Sequence, residues 1–143
     1  MKRILTLVLS LLLLLNLILL PCSAEEEAPV MEEIIEEYTN TQSAFATLSI
    51  NSSGSVTIRI DCIGKSGTTH ISSRTYLEKW TGSSWCRVCI NGASEICDGV
   101  SGSSLSKTYT TTVGSGTYRV TAIFTVTKGT DETITVYSNI VTH

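Results

Sequence analysis

Two spacings of hydrophobic positions divide the chain. Over 30–38, Met31, Ile34, Ile35 and Tyr38 recur at i, i+3, i+4 and i+7 with glutamates on the other side, which predicts a short amphipathic helix. From Ala44 onward the period falls to two, and segments rich in Thr, Val, Ile and Tyr alternate with Gly, Ser and Asn turns. About seven strands are predicted, near 44–50, 55–63, 69–80, 84–91, 104–113, 117–127 and 132–142. In the second, Val56, Ile58, Ile60 and Cys62 share one face, and in the sixth Tyr118, Val120, Ala122, Phe124 and Val126 do. Each strand keeps one polar face, so the pattern predicts an all-β antiparallel sandwich rather than a buried parallel sheet.

One hairpin can be registered from the sequence. Thr81-Gly82-Ser83-Ser84 suits a two-residue turn with Gly82 at the position that needs positive φ. Trp80 then faces Trp85, Glu78 faces Arg87, Leu77 faces Val88 and Tyr76 faces Cys89. Aromatic meets aromatic and acid meets base, pairings that stabilise a ladder.

The N-terminus changes the picture of where the protein works. Lys2 and Arg3 precede an apolar run over 4–20, and Pro21, Cys22, Ser23 and Ala24 follow it, an order that reads as a secretory signal peptide. Cleavage after Ala24 is expected, and Pro21 before Cys22 disfavours lipid attachment at that cysteine. An uncleaved anchor is the alternative, and only that outcome ties the protein to a membrane. The resulting organisation is a signal peptide over 1–24, an acidic helical leader over 25–42 and one sandwich domain over 43–143. A secreted or cell-surface location follows.

Charge adds an exclusion. Seven glutamates crowd residues 25–37, whereas eight Lys/Arg and six Asp/Glu are scattered from Ser43 onward. So weak and dispersed a basic excess argues against nucleic acid as a partner.

Four cysteines follow the signal, and an even number in an exported chain reads as two disulfides. Strand parity puts Cys62 and Cys86 on core-facing sides and leaves Cys89 near the loop that holds Cys97, so Cys62–Cys86 and Cys89–Cys97 are the expected bonds. Trp85-Cys86-Arg87-Val88-Cys89 also fits the Trp-Cys-x-x-Cys pattern of thiol oxidoreductases, but there the first cysteine sits at a helix N-terminus, and here the motif alternates as a strand. Neither a second Cys-x-x-Cys nor paired histidines accompanies Cys86 and Cys89, so no metal and no cofactor is expected.

Gly64-Lys65-Ser66-Gly67-Thr68-Thr69, Thr75-Tyr76-Leu77-Glu78-Lys79-Trp80, Gly82-Ser83-Ser84-Trp85, Leu105-Ser106-Lys107-Thr108-Tyr109 and Gly116-Thr117-Tyr118-Arg119-Val120 together resemble an uncharacterised family of small exported proteins from Gram-positive bacteria. The resemblance implies an immunoglobulin-like sandwich and carries no assigned activity. The last of these stretches is also similar to a late strand of many extracellular sandwich modules, where the tyrosine packs at a corner.

Catalysis finds little to work with. His70 and His143 are the only histidines, and although Asp61 and many serines permit a triad on paper, no Gly-x-Ser-x-Gly elbow is present. No enzyme is expected. The suggestive set is outward-facing: Tyr76, Trp80 and Trp85, flanked by Glu78, Arg87 and Arg74. Aromatics and arginines on the wet face of a sandwich can stack on a glycan or anchor a protein partner. The competing reading is a cross-strand tryptophan pair that only holds its hairpin together, covered by the acidic helix. The sequence therefore points to an exported binding or cell-surface interaction module. Its alternatives are a thiol-active or metal-binding protein using Cys86 and Cys89, and a structural assembly component.

Overall fold

The computed structural model describes residues 38–143. The expected signal peptide and nearly all of the expected acidic helix lie outside the described residues. Among the described residues nine strands form: β1 (Thr41–Ile50), β2 (Ser55–Gly64), β3 (His70–Trp80), β4 (Trp85–Val88), β5 (Ile96–Ser101), β6 (Ser104–Thr112), β7 (Thr117–Lys128), β8 (Thr130–Tyr137) and β9 (Val141–Thr142). They make two antiparallel sheets. One has the order β1-β2-β6; the other has the order β4-β3-β7-β8, with β5 also on β3 and β9 also on β7.

Alternation does most of this work. Val56, Ile58, Ile60 and Cys62 of β2 and Val120, Ala122, Phe124 and Val126 of β7 are fully buried, and Ile71 and Leu77 of β3 join them in one apolar core. Two asparagines close the flanks of the sandwich. The Asn139 side chain accepts from Leu48 N at 3.1 Å and donates to Leu48 O at 2.9 Å, pairing the free edge of β1 as a further strand would. On the other flank Asn91 donates from its side chain to Thr110 O at 2.8 Å, and thereby ties the β4–β5 connection to β6.

The predicted strands correspond closely to the observed ones, with two differences. The last predicted strand is broken into β8 and β9, because the Ser138 hydroxyl accepts from Val120 N at 2.8 Å in place of a ladder carbonyl. The other is β5, a strand absent from those predicted. Asn91 at φ 50° and Gly92 at φ 89° form a tight turn closed by Ile90 N to Ala93 O at 2.7 Å and Ala93 N to Ile90 O at 3.0 Å. Asn-Gly is a strong signal for such a turn, and beyond it Ile96, Asp98 and Val100 alternate as a strand should. Because β4 and β5 both run antiparallel to β3 along the same edge, they behave as one strand interrupted by an excursion over 89–95.

The β3–β4 register is as expected, with Trp80 opposite Trp85, Glu78 opposite Arg87 and Leu77 opposite Val88. Thr81 N donates to Ser84 O at 2.9 Å, and Gly82 has φ 97°. The ladder stops at Leu77, so Tyr76 and Cys89 are not a pair.

Tyr118 begins the buried run of β7, and its hydroxyl donates to Gly114 O at 2.9 Å, pinning the turn that enters the strand. Tyr118→Phe keeps the ring and deletes this bond, so the expected loss is about 1 kcal/mol in denaturant unfolding, with the unfolding slope unchanged.

Candidate functional site

The outer face of the larger sheet carries the residues singled out above, together with two that the sequence did not reveal. Trp80 and Trp85 stack across the hairpin with ring centroids 5.3 Å apart and planes tilted by 54°. Next to them, from β7, lies Arg119. Its guanidinium carbon sits 4.4 Å from the Trp85 ring centre and 4.7 Å from that of Tyr137 on β8. Trp80, Trp85, Arg119 and Tyr137, from four strands, form a row of successive contacts between rings and a cation on this face. Each ring–guanidinium contact contributes about 0.5–2 kcal/mol, more as water is excluded.

Glu78 fixes the row. Its carboxylate accepts from Arg119 Nε at 2.8 Å and from the Thr121 hydroxyl at 2.8 Å. This differs from the expected Glu78–Arg87 ion pair. Although the two residues face each other in the ladder, Arg119 is opposite Glu78 on the other side, and Arg87 instead lies over the Tyr76 ring with its guanidinium carbon 3.6 Å from the centroid.

Tyr76 is a correction. Parity does place it on the outer face, but it is only 2% exposed, whereas Trp80 is 39% and Tyr137 58% exposed. Arg87 covers its ring, and its hydroxyl is hydrogen-bonded to Glu95 of the 89–95 excursion. Burial raises the Tyr76 phenol above its ordinary pKa, and Glu95 adds to the rise. Tyr76 is therefore a support under the face and not a contact on it. Arg74 is exposed on the same face, opposite Cys97. Trp85 is half-buried, and Arg119 takes part of its surface.

The cysteines depart further from expectation. Cys62 is buried, and burial pushes its thiol up to about 11; Cys86, Cys89 and Cys97 are exposed, and all four are free thiols in the structure. Cys86 has core-side parity, yet it pairs with Lys79 at the rim, where parity gives the side and not the depth. The expected Cys62–Cys86 bond is out of reach. Cys62 lies near Glu132, which pairs with Val126 at one end of β7, while Lys79 pairs with Tyr118 at the other end. Eight residues of strand separate these levels, roughly 26 Å, against a disulfide Cα span of about 4–7 Å.

Catalytic and metal readings gain no geometry. His70 and Asp61 have outward parity on different sheets, so the thickness of the sandwich lies between them. Asp61 is engaged by Arg59 Nε at 2.6 Å and Nη2 at 3.3 Å. Partial burial pushes the Asp61 carboxyl up, but the hydrogen bonds from Arg59 and Ser106 outweigh it and leave the pKa below its ordinary value. Among the described residues no three of His, Cys, Asp and Glu converge as metal ligands.

One polar group within the sandwich was not foreseen. Tyr109 of β6 hydrogen-bonds Asp98 of β5, and Lys107 meets the same carboxylate at 3.1 Å, joining the two edges. Burial and the Asp98 carboxylate both raise the Tyr109 phenol. The signal available in the sequence was polar residues at inward positions, Ser73, Thr75 and Asp98, which only the pairing of β5 with β3 aligns. Compared with protein-family models, curated proteins and solved structures, the chain finds no match.

Proposed function

We propose that this chain is an exported, non-catalytic binding module with an immunoglobulin-like sandwich, and that it engages glycans at the cell surface through the outer face of β4-β3-β7-β8. The observation that carries the reading is the group Trp80, Trp85, Arg119 and Tyr137, in which the well-exposed Trp80 stacks on Trp85 and the well-exposed Tyr137 and Trp85 both lie against a guanidinium that Glu78 anchors. Rings held rigid before binding lose little conformational entropy when a ligand stacks on them. A sugar ring presents apolar C–H groups to an aromatic face and hydroxyls to its surroundings, and Arg87, Glu78 and Arg119 supply polar groups beside the rings.

Support for the immunoglobulin-like part comes from the arrangement of three strands facing a six-stranded sheet that is four strands wide, and from the Tyr118 hydroxyl reaching back to Gly114 O at the start of β7, the geometry of a tyrosine corner. One departure is that Val120 stands two residues after this tyrosine, where antibody domains have a cysteine. The turn motifs that resemble small exported proteins of Gram-positive bacteria agree with export, and N-terminal sequencing of the mature protein, expected to begin at Glu25, tests it.

Trp80→Ala and Tyr137→Ala test the surface. Both residues are exposed at the ends of the row, so each change should cost under about 1 kcal/mol of stability. Affinity for an immobilised glycan that binds the wild type should fall tenfold or more, because truncating an aromatic ring on which the ligand stacks costs about 1–2 kcal/mol of binding. Wild-type affinity retained by both variants, or no binding by the wild type across a panel of cell-surface glycans, would remove this reading.

A further inference from the structure

We propose that Cys89 and Cys97 form a reversible disulfide that closes the 89–95 excursion against β3, a site set by strand register and left open as two thiols in this structure.

Register makes the first part of the case. Cys97 lies opposite Arg74 and Val88 opposite Leu77, so Cys89, one residue past the end of the β4 ladder, lies close to the level of Tyr76 without pairing with it. The two cysteines are thus two residue levels apart along one edge, roughly 6.5–7 Å, at the upper end of the Cα span a disulfide bridges. They also share a side. Ile90 is buried and Val88 half-buried on the core side, which turns Cys89 outward between them, while Cys97 pairs with the outward-facing Arg74. Both thiols are exposed to an oxidant in solution.

The alternatives fail on the same grounds. Cys62 is buried on the core side of the other sheet, whereas Cys89 and Cys97 face outward, and Cys86 has the opposite parity to Cys89 with about 10 Å of strand between them. A Cys86–Cys97 bond would have to span still more of the edge.

Oxidation is a thiol–disulfide exchange. One cysteine thiolate attacks a small-molecule disulfide such as oxidised glutathione, forming a mixed disulfide and releasing one glutathione thiolate. The second cysteine, deprotonated, displaces the other glutathione. Two protein S–H bonds are replaced by one S–S bond, and the two electrons and two protons end on two glutathione thiols.

The site connects to the aromatic face. Cys97 Sγ donates to Glu95 Oε1 at 3.1 Å, and Glu95 is also hydrogen-bonded to the Tyr76 hydroxyl, above which Arg87 is stacked. The Glu95 bond raises the Cys97 pKa, which disfavours Cys97 as the first attacking thiolate. When the disulfide forms, Glu95 loses the thiol donor and keeps Tyr76, so the clip fixes the support beneath the face. This inference needs the exported reading only to say where the protein meets an oxidant.

The experiment treats the folded full chain with oxidised glutathione and maps the cysteines by peptide mass under non-reducing conditions. A Cys89–Cys97 crosslink is expected in the wild type and in Cys86→Ser, and dithiothreitol should restore two thiols; Cys89→Ser and Cys97→Ser should give no internal crosslink. The thermal midpoint of the oxidised wild type should exceed that of the reduced protein by about 5–10 °C, as closing a short loop predicts, and Cys97→Ser should lack this rise. A crosslink that includes Cys86, or glutathione adducts on both Cys89 and Cys97 without a bond between them, would overturn the proposal. Because the oxidant is supplied and no glycan is involved, neither result depends on the binding function.

Discussion

Arg119→Ala should cost about 3 kcal/mol of stability, among the larger losses expected from a change outside the core. Three contacts go at once. Arg119 Nε no longer reaches Glu78 at 2.8 Å, and the guanidinium leaves the Trp85 and Tyr137 rings. The larger part of the effect falls on the partner left behind. The Glu78 side chain is only 14% exposed, and with Arg119 gone it keeps the Thr121 hydroxyl as its hydrogen bond donor on β7. A carboxylate held away from water with its counter-charge deleted costs about 2–3 kcal/mol, and the lost stacking adds to that. Denaturant unfolding measures the sum, and a double variant identifies its source. If the unpaired carboxylate dominates, Glu78→Gln combined with Arg119→Ala should be at least 1 kcal/mol more stable than the two single losses added together. Additive losses would assign the effect to the rings instead. Arg119→Lys should recover little, since an ammonium reproduces the charge but not the flat group that fits between two aromatic faces.

Glu132→Gln should cost about 2 kcal/mol at neutral pH and progressively less in acid. Glu132 lies on β8, where its carboxylate accepts from the backbone amides of Thr39 and Asn40, the latter at 2.9 Å, and from the Thr41 hydroxyl at 2.8 Å. It holds the entry of β1 onto the opposite sheet. Partial burial pushes its carboxyl up, but the bonds from Thr41, Asn40 and Thr39 outweigh burial and leave the pKa below the ordinary 4.5. A carboxyl with a lower pKa folded than unfolded stabilises the protein above the unfolded value, and that contribution disappears as pH falls through the folded value. The gap between wild type and Glu132→Gln in unfolding free energy should therefore be widest above pH 5 and should close below about pH 4. A gap independent of pH would mean that the amide merely fits the site poorly, with no role for the charge.

How far the sequence reached differs between the fold and the face. Alternation over Val56, Ile58, Ile60 and Cys62, and over Tyr118 to Val126, identified the buried sides of β2 and β7, because a strand with one wet face must repeat every second residue. The turn at Gly82 fixed the β3–β4 register for the same local reason: two-residue hairpins require positive φ at a defined position, and glycine provides it. The Asn91-Gly92 turn was equally legible, and reading it would have located β5.

Lateral neighbours belong to the tertiary structure. Trp85, Arg119 and Tyr137 come from three strands, and nothing in their spacing says that β7 lies between β3 and β8. Parity assigns a side, but depth depends on what the rest of the chain lays over it. Tyr76, outward by parity, is covered by Arg87 and Glu95, whereas Cys86, inward by parity, is exposed at the rim. Glu78 likewise has a basic residue opposite it on each neighbouring strand, and the sheet gave it Arg119. The sequence by itself determined which residues alternate and where the chain turns, since both are set by neighbours along the backbone. Which charge meets which ring, and which thiols lie within reach of each other, was decided when strands far apart in sequence were paired.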